Sequence, residues 1–142
     1  MEQAKKKVVN YGIISTARIA TKVALAIQQA QNSQLLGVAS RNLESAQTWA
    51  AKLKIPKCYG SYDELLQDKD IDVVYLPLPT ALRAEWAIKA AKAKKHIIAE
   101  KPHPGEHDDK TLLQMLQTCR DNNVQFLDGS FWVYATRTQE LK

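Results

Sequence analysis

Val8-Val9-Asn10-Tyr11-Gly12-Ile13-Ile14-Ser15-Thr16-Ala17-Arg18-Ile19-Ala20 is the stretch that decides the fold. Its first half is apolar with no polar alternation, the pattern of a strand buried on both faces of a parallel sheet. Its second half enters a helix predicted over 17–31, with Ile19, Val23, Ile27 and Ala30 on one face. A buried strand that runs directly into an amphipathic helix opens a βαβ unit.

The same unit repeats outward from this stretch. Leu35-Leu36-Gly37-Val38-Ala39 reads as a second strand, and a helix follows from Asn42, a good N-cap, through Leu43, Ala46, Ala50 and Leu53. Cys58-Tyr59 is a short third strand, after which Ser61-Tyr62-Asp63-Glu64 fits a capping box. The fourth strand, over 72–76, is stopped by Pro77-Leu78-Pro79. A helix over 82–95 packs Leu82, Trp86, Ala90 and Ala93, and His96-Ile97-Ile98-Ala99 then runs into Glu100-Lys101-Pro102. A helix over 108–122 carries Leu112, Met115, Leu116 and Cys119, and a strand over 124–127 follows. This alternation predicts an α/β protein of the Rossmann type, a doubly wound parallel sheet with helices on both faces. Residues 1–7 are a basic tail and 8–131 a single domain. A helix-like segment begins at Thr136 within 132–142, which reads as the start of a truncated connection to a missing C-terminal domain.

Composition narrows the function classes. A chain of 142 residues that is 45% hydrophobic can bury one core. It has no apolar run of the ~20 residues needed to cross a bilayer. Met1-Glu2-Gln3-Ala4-Lys5-Lys6-Lys7 lacks the apolar segment of a secretory signal, so a cytoplasmic location is expected, with no membrane partner. Cys58 and Cys119 are far apart and read as small buried hydrophobes. The net charge of +5 is explained by the N-terminal lysines and by Lys92, Lys94 and Lys95, which complement a helix dipole. No nucleic-acid partner is expected. His103, His107, Asp108 and Asp109 do not make a zinc site, because Pro104 and Gly105 break any helical pairing of the histidines. Trp49, Trp86 and Trp132 are assigned to packing. There is no Tyr-x-x-x-Lys pair, G-x-S-x-G elbow or G-x-x-x-x-G-K loop.

In open parallel sheets ligands bind beyond the carboxyl ends of the strands. Four loops meet there, after Ile14, Ala39, Leu76 and Ala99. In the first, the positions of G-x-G-x-x-G/A fall on Ser15, Ala17 and Ala20, with Gly12, Thr16, Arg18 and Ile19 completing the turn. Small residues let the backbone approach a pyrophosphate, and the helix-start N–H groups suit an anion. In the second loop, where an acid would hold the ribose 2′-hydroxyl of NAD, the chain has Ser40-Arg41. A hydroxyl and a guanidinium instead suit a 2′-phosphate, so NADP is expected over NAD. Pro77, Leu78, Pro79 and Thr80 offer an apolar wall and a hydroxyl for the nicotinamide. Glu100-Lys101 puts a charged pair at a strand end, where a lysine can hydrogen-bond an alcohol or carbonyl oxygen and move its proton.

These stretches resemble the glucose–fructose oxidoreductase/inositol dehydrogenase superfamily, particularly its dimeric dihydrodiol dehydrogenase and NADP-dependent xylose dehydrogenase-like branch. The matching segments are 12–20, Val38-Ala39-Ser40-Arg41, 55–62, 74–79, Glu100-Lys101-Pro102 and Asp128-Gly129 with Phe131-Trp132. The resemblance implies an NADP(H)-binding domain and a second α/β domain for substrate and dimerisation, with a homodimer expected only where that domain is present. It implies that Lys101 is catalytic, that Pro102 follows a cis bond and that Ser40 and Arg41 hold the 2′-phosphate. The implied reaction is hydride transfer between NADP and a sugar, polyol or dihydrodiol. A non-catalytic NADP-binding or partner-binding module is the alternative. Arg83, close to the nicotinamide wall, and Glu100 are counted with Lys101 among the cofactor contacts. The chain departs from the family pattern at Ser15, commonly glycine, at Arg83, where histidine is usual, at 103–107, and after Trp132.

Overall fold

The computed structural model describes residues 7–102 and 109–129. Its strands are β1 (Val9–Ile14), β2 (Ser33–Ala39), β3 (Lys57–Tyr59), β4 (Val73–Leu76), β5 (His96–Ala99) and β6 (Phe126–Asp128). All neighbours pair in parallel, in the order β3-β2-β1-β4-β5-β6. The order reverses between β1 and β4, which puts the carboxyl end of β1 at the switch point where such sheets bind ligands. The helices are α1 (Ala20–Gln29), α2 (Leu43–Leu53), α3 (Tyr62–Gln67), α4 (Thr80–Lys92) and α5 (Asp109–Asp121). None of them is long and apolar enough to cross a membrane.

The central strands are apolar toward their carboxyl ends, where they are buried from both sides. Ile13, Val38 and Tyr75 pack with α1 and α2, whereas Ile14, Val74, Leu76 and Ile97 pack with α3, α4 and α5. Gly12 lies inside β1, and a Cβ there would meet Leu65 Cδ2 at 3.0 Å and Ile71 Cδ1 at 3.1 Å. Its smallness therefore admits α3, and Gly12, expected from sequence in the binding turn, lies within β1 two residues before its carboxyl end. On the opposite face, an open apolar groove of about 600 Å³ runs between α1 and β5, past Tyr11, Ile19, Val23, Ile98 and Lys101.

Helix phase differs from the sequence expectation in two places. α1 starts at Ala20 rather than 17, and it buries Ala20, Ala24 and Ile27 while Ile19 is 50% exposed. Residues 15–19 are spent on the turn, and the alanines allow the helix to lie closer to β1 than isoleucine could. α4 buries Arg83, Ala87, Ala90 and Ala91, with Trp86 and Ala93 of the expected stripe packed beside them. Leu82, however, is exposed, and Arg83 takes the inner position because it finds acceptors there. The Met115–Cys119 stripe of α5 is buried as expected, with Leu112 and Leu116 packed beside it.

Three helices end in one way that glycine usually marks. Lys54, Lys94 and Asn123 adopt positive φ (55°, 63° and 56°), and the next residue bonds back to the helix: Ile55 N–H to Ala50 O, Lys95 N–H to Ala90 O and Val124 N–H to Cys119 O. This is the Schellman arrangement. It ends α4 at Lys92, and it makes 124–125 a cap, so β6 begins at Phe126 and not at 124. Lys95 is buried rather than set at an open helix end, and its ammonium donates to Asp68 O and Ile71 O. The caps expected at Asn42 and Ser61 both form, accepting from Ser45 N–H at 3.1 Å and Glu64 N–H at 3.2 Å. Glu64 returns its bond to Gly60 N–H, one residue before the N-cap.

Asp68 ties this end of the sheet together. It accepts from Lys57 Nζ at 2.8 Å and from the Tyr59 hydroxyl, and its second oxygen accepts from Asp70 N–H at 2.8 Å. Burial opposes ionisation of Asp68, but the bonds from Lys57 and Tyr59 prevail and hold its pKa down to about 2. A folded-state pKa below the ordinary carboxylate value means a stability contribution present above pH ~4 and lost as pH falls toward ~2. Asp68→Asn is therefore expected to cost about 1–2 kcal/mol at pH 7. Denaturant unfolding should show this deficit shrinking between pH ~4 and ~2.

Candidate active site

The first loop turns on Ser15. Its N–H bonds to Ala39 O at 2.9 Å, and its φ is 112°, a conformation that L side chains rarely adopt. The chain then passes through Thr16–Ile19 before α1 begins, with Ala20 N–H bonded to Ala17 O and Thr21 N–H to Arg18 O. No acceptor among the described residues takes the N–H groups of Thr16, Ala17, Arg18 or Ile19. Ala20, the third small position of the turn, is fully buried on the sheet. The result is a set of open backbone donors at a helix start, the arrangement that suits an anion.

Ser40 and Arg41 stand at the carboxyl end of β2, the strand beside β1. Ser40 N–H bonds to Tyr59 O at 3.1 Å, which leaves its hydroxyl close to Asn42 N–H at 3.5 Å. Ser40 is half-buried and Arg41 exposed, so the guanidinium is open to a ligand at the adjoining turn.

The other two loops follow β4 and β5. Pro77 and Leu78 are buried, Leu78 within the core, while Pro79 and Thr80 are exposed where α4 begins. The wall expected from 77–79 is thus directed partly inward. Glu100 and Lys101 do not pair with each other. Glu100 accepts a hydrogen bond at 2.5 Å from the hydroxyl of Tyr75, a fully buried side chain of β4. Burial first, and then the bond to Glu100, push the Tyr75 phenol up, which keeps it a donor. Lys101 is exposed, with no carboxylate within ion-pair distance among the described residues, and the Lys101–Pro102 bond is cis. Arg83 is buried and donates to two backbone carbonyls, Leu78 O and Pro102 O.

Tyr75 was not singled out from sequence, although a tyrosine in a run of buried aliphatic residues needs a partner for its hydroxyl. Gly129 was quoted only within a matching segment. It bonds back to Ala99 O at 2.7 Å, and a Cβ there would meet that oxygen at 3.0 Å and Glu100 Oε2 at 3.4 Å. Residues 103–108 and 130–142, with Trp132 and the proposed connection, lie outside the described residues.

Open amides after β1, a hydroxyl and a guanidinium after β2, and an unpaired lysine after β5 fit a dinucleotide laid across the switch point. Together with the strand order they define a Rossmann-type nucleotide-binding domain. Residues 9–129 match the model of the oxidoreductase family with an NAD-binding Rossmann fold (GFO/IDH/MocA), and the chain belongs to that family. It is 33% identical over 129 residues to D-xylose 1-dehydrogenase (NADP(+)) 2 of Haloferax volcanii, covering 91% of this chain and 39% of that protein. It is 36% identical over 124 residues to trans-1,2-dihydrobenzene-1,2-diol dehydrogenase of Xenopus laevis, covering 86% of this chain and 37% of that protein. KijD10, a 3-ketoreductase from Actinomadura kijaniata solved in an open conformation with NADP and TDP-benzene, superposes with a TM-score of 0.87 at 25% identity. That match covers 95% of this chain and 42% of KijD10. The chain thus spans about two-fifths of the length of these relatives.

The strain at Ser15 is directly testable. Ser15→Gly should raise stability by about 1 kcal/mol, the relief of the turn less the entropy of a glycine in the unfolded chain. Thermal unfolding of the two proteins measures it, and a lower melting temperature for the glycine variant would contradict the strain.

Proposed function

We propose that this domain binds NADP(H) and serves an oxidoreductase that moves hydride between the nicotinamide and a CH–OH or carbonyl carbon of a sugar, polyol or dihydrodiol. The observation that carries this reading is the placement of Ser40 and Arg41 at the carboxyl end of β2, beside the open amides of 16–19. A 2′-phosphate is favoured there by a charge-assisted bond from the guanidinium. The xylose dehydrogenase relative is named for NADP, and KijD10 was solved with it, which supports the same preference.

Bound, the cofactor accepts or donates the hydride. The amides of Thr16, Ala17, Arg18 and Ile19 bind the pyrophosphate, and Ser40 Oγ and Arg41 bind the 2′-phosphate. Pro79 and Thr80 border the nicotinamide end. In oxidation Lys101 Nζ, as the amine, accepts the proton of the substrate hydroxyl as the carbon gives up its hydride; in reduction the ammonium returns that proton to the carbonyl oxygen. Glu100 is engaged by Tyr75, so its carboxylate does not tie down the Lys101 side chain. The substrate contacts and a homodimer interface are assigned to a second domain of a longer protein.

Titration of tryptophan fluorescence with NADPH and NADH tests the site, and NADPH should bind more tightly. Arg41→Ala should weaken NADPH by about tenfold or more and leave NADH nearly unchanged. Equal affinities in the unaltered chain would refute the assignment to Ser40 and Arg41. In the longer protein, Lys101→Met should lower turnover by about 10²–10⁴-fold with NADPH affinity retained. Turnover that survives this change would remove Lys101 from proton transfer, whereas a longer protein that binds NADPH and turns over nothing would favour the non-catalytic binding module.

A further inference from the structure

The ladder between β4 and β5 ends at Leu76 and Ala99, and Glu100 N–H reaches Leu76 O at 3.4 Å. Beyond that bond, no backbone hydrogen bond joins the loop after β4 to the turn after β5 among the described residues. One side chain does so instead. Arg83, on the first turns of α4 and 7% exposed, donates from Nε to Leu78 O at 2.6 Å and from Nη1 to Pro102 O at 2.5 Å. The two acceptors belong to different loops, and the two donors to different nitrogens of one rigid plane.

We propose that Arg83 is a positioning residue, a clamp that holds the Lys101–Pro102 turn against the 77–79 loop and so sets where Lys101 stands. The functional consequence rests on the NADP(H) reading above, whereas the clamp itself does not. Burying a cation is costly unless its donors are met. Here they meet two carbonyls, and the nearby Glu100 carboxylate stabilises the charge. With its guanidinium turned to the backbone of both loops, Arg83 acts on the site through Lys101 rather than by gripping the cofactor. Lysine at this position keeps the charge but offers a compact ammonium on a flexible stem, which does not fix two acceptors relative to each other. A neutral histidine offers one donor.

The test is amide hydrogen exchange of the chain without cofactor, comparing the unaltered protein with Arg83→Lys and Arg83→His. Exchange should accelerate several-fold in both variants at Leu82 and Glu100 together, whose N–H groups bond to Pro79 O and Leu76 O, while β2 stays protected. Unchanged exchange, or acceleration in only one loop, would overturn the clamp. If Arg83→His unfolds, Arg83→Lys alone decides. A second measurement separates positioning from contact. In the lysine variant NADPH affinity should change by less than about threefold, while kcat in the longer protein falls by about tenfold or more. A tenfold loss of NADPH affinity with kcat retained would make Arg83 a cofactor contact and overturn the proposal. Failure of the unaltered chain to bind NADPH would sink the functional reading alone, since the exchange experiment needs no cofactor.

Discussion

The position of β1 is the constraint on which the rest of the domain depends. It lies at the centre of the sheet with β2 on one side and β4 on the other, and it is packed from both faces. Because β1 has no free edge and its last three residues are buried on both faces, what it presents to a ligand at the switch point is its carboxyl end. The close approach of α3 at Gly12 and of α1 through Ala20 and Ala24 holds that end in place. The turn at Ser15 and the open amides that follow are consequences of a helix brought so near to its strand.

The two ends of the sheet solve different problems. At the amino ends of the strands, polar groups are matched to one another: Asp68 with Lys57 and Tyr59, Lys95 with the carbonyls of Asp68 and Ile71. That end is closed, and its charges are committed to stability. At the carboxyl ends, donors are left open at 16–19, Arg41 is exposed, and Lys101 has no carboxylate partner among the described residues. The network of Tyr75, Glu100 and Arg83 lies just beneath. It satisfies its own charges internally and leaves the lysine above it uncommitted.

Much of this was legible in the chain because burial on two faces leaves a strong signature. Four apolar runs without alternation marked β1, β2, β4 and β5, and the helical stripe of α5 and the caps at Asn42 and Ser61 could be read directly. The site loops were legible as positions, since a strand's carboxyl end can be counted along the sequence. The phase of α1 and α4 was not, because an apolar stripe does not say whether small or large residues face the sheet. Helix ends at Lys54, Lys94 and Asn123 were also hidden, since positive φ is imposed there by the back-bonds of Ile55, Lys95 and Val124 rather than signalled by glycine.

The sequence by itself determined the alternation of strand and helix, the loops in which function resides, and the chemical types available in them. Local periodicity and residue chemistry suffice for that. Only the tertiary structure decided that Glu100 turns to Tyr75 instead of Lys101, that Lys95 and Arg83 are interior cations, and that Gly12 serves packing. Each of those outcomes joins residues distant along the chain. Which partner a buried polar group finds depends on what the folded sheet brings within reach, and no local pattern encodes that.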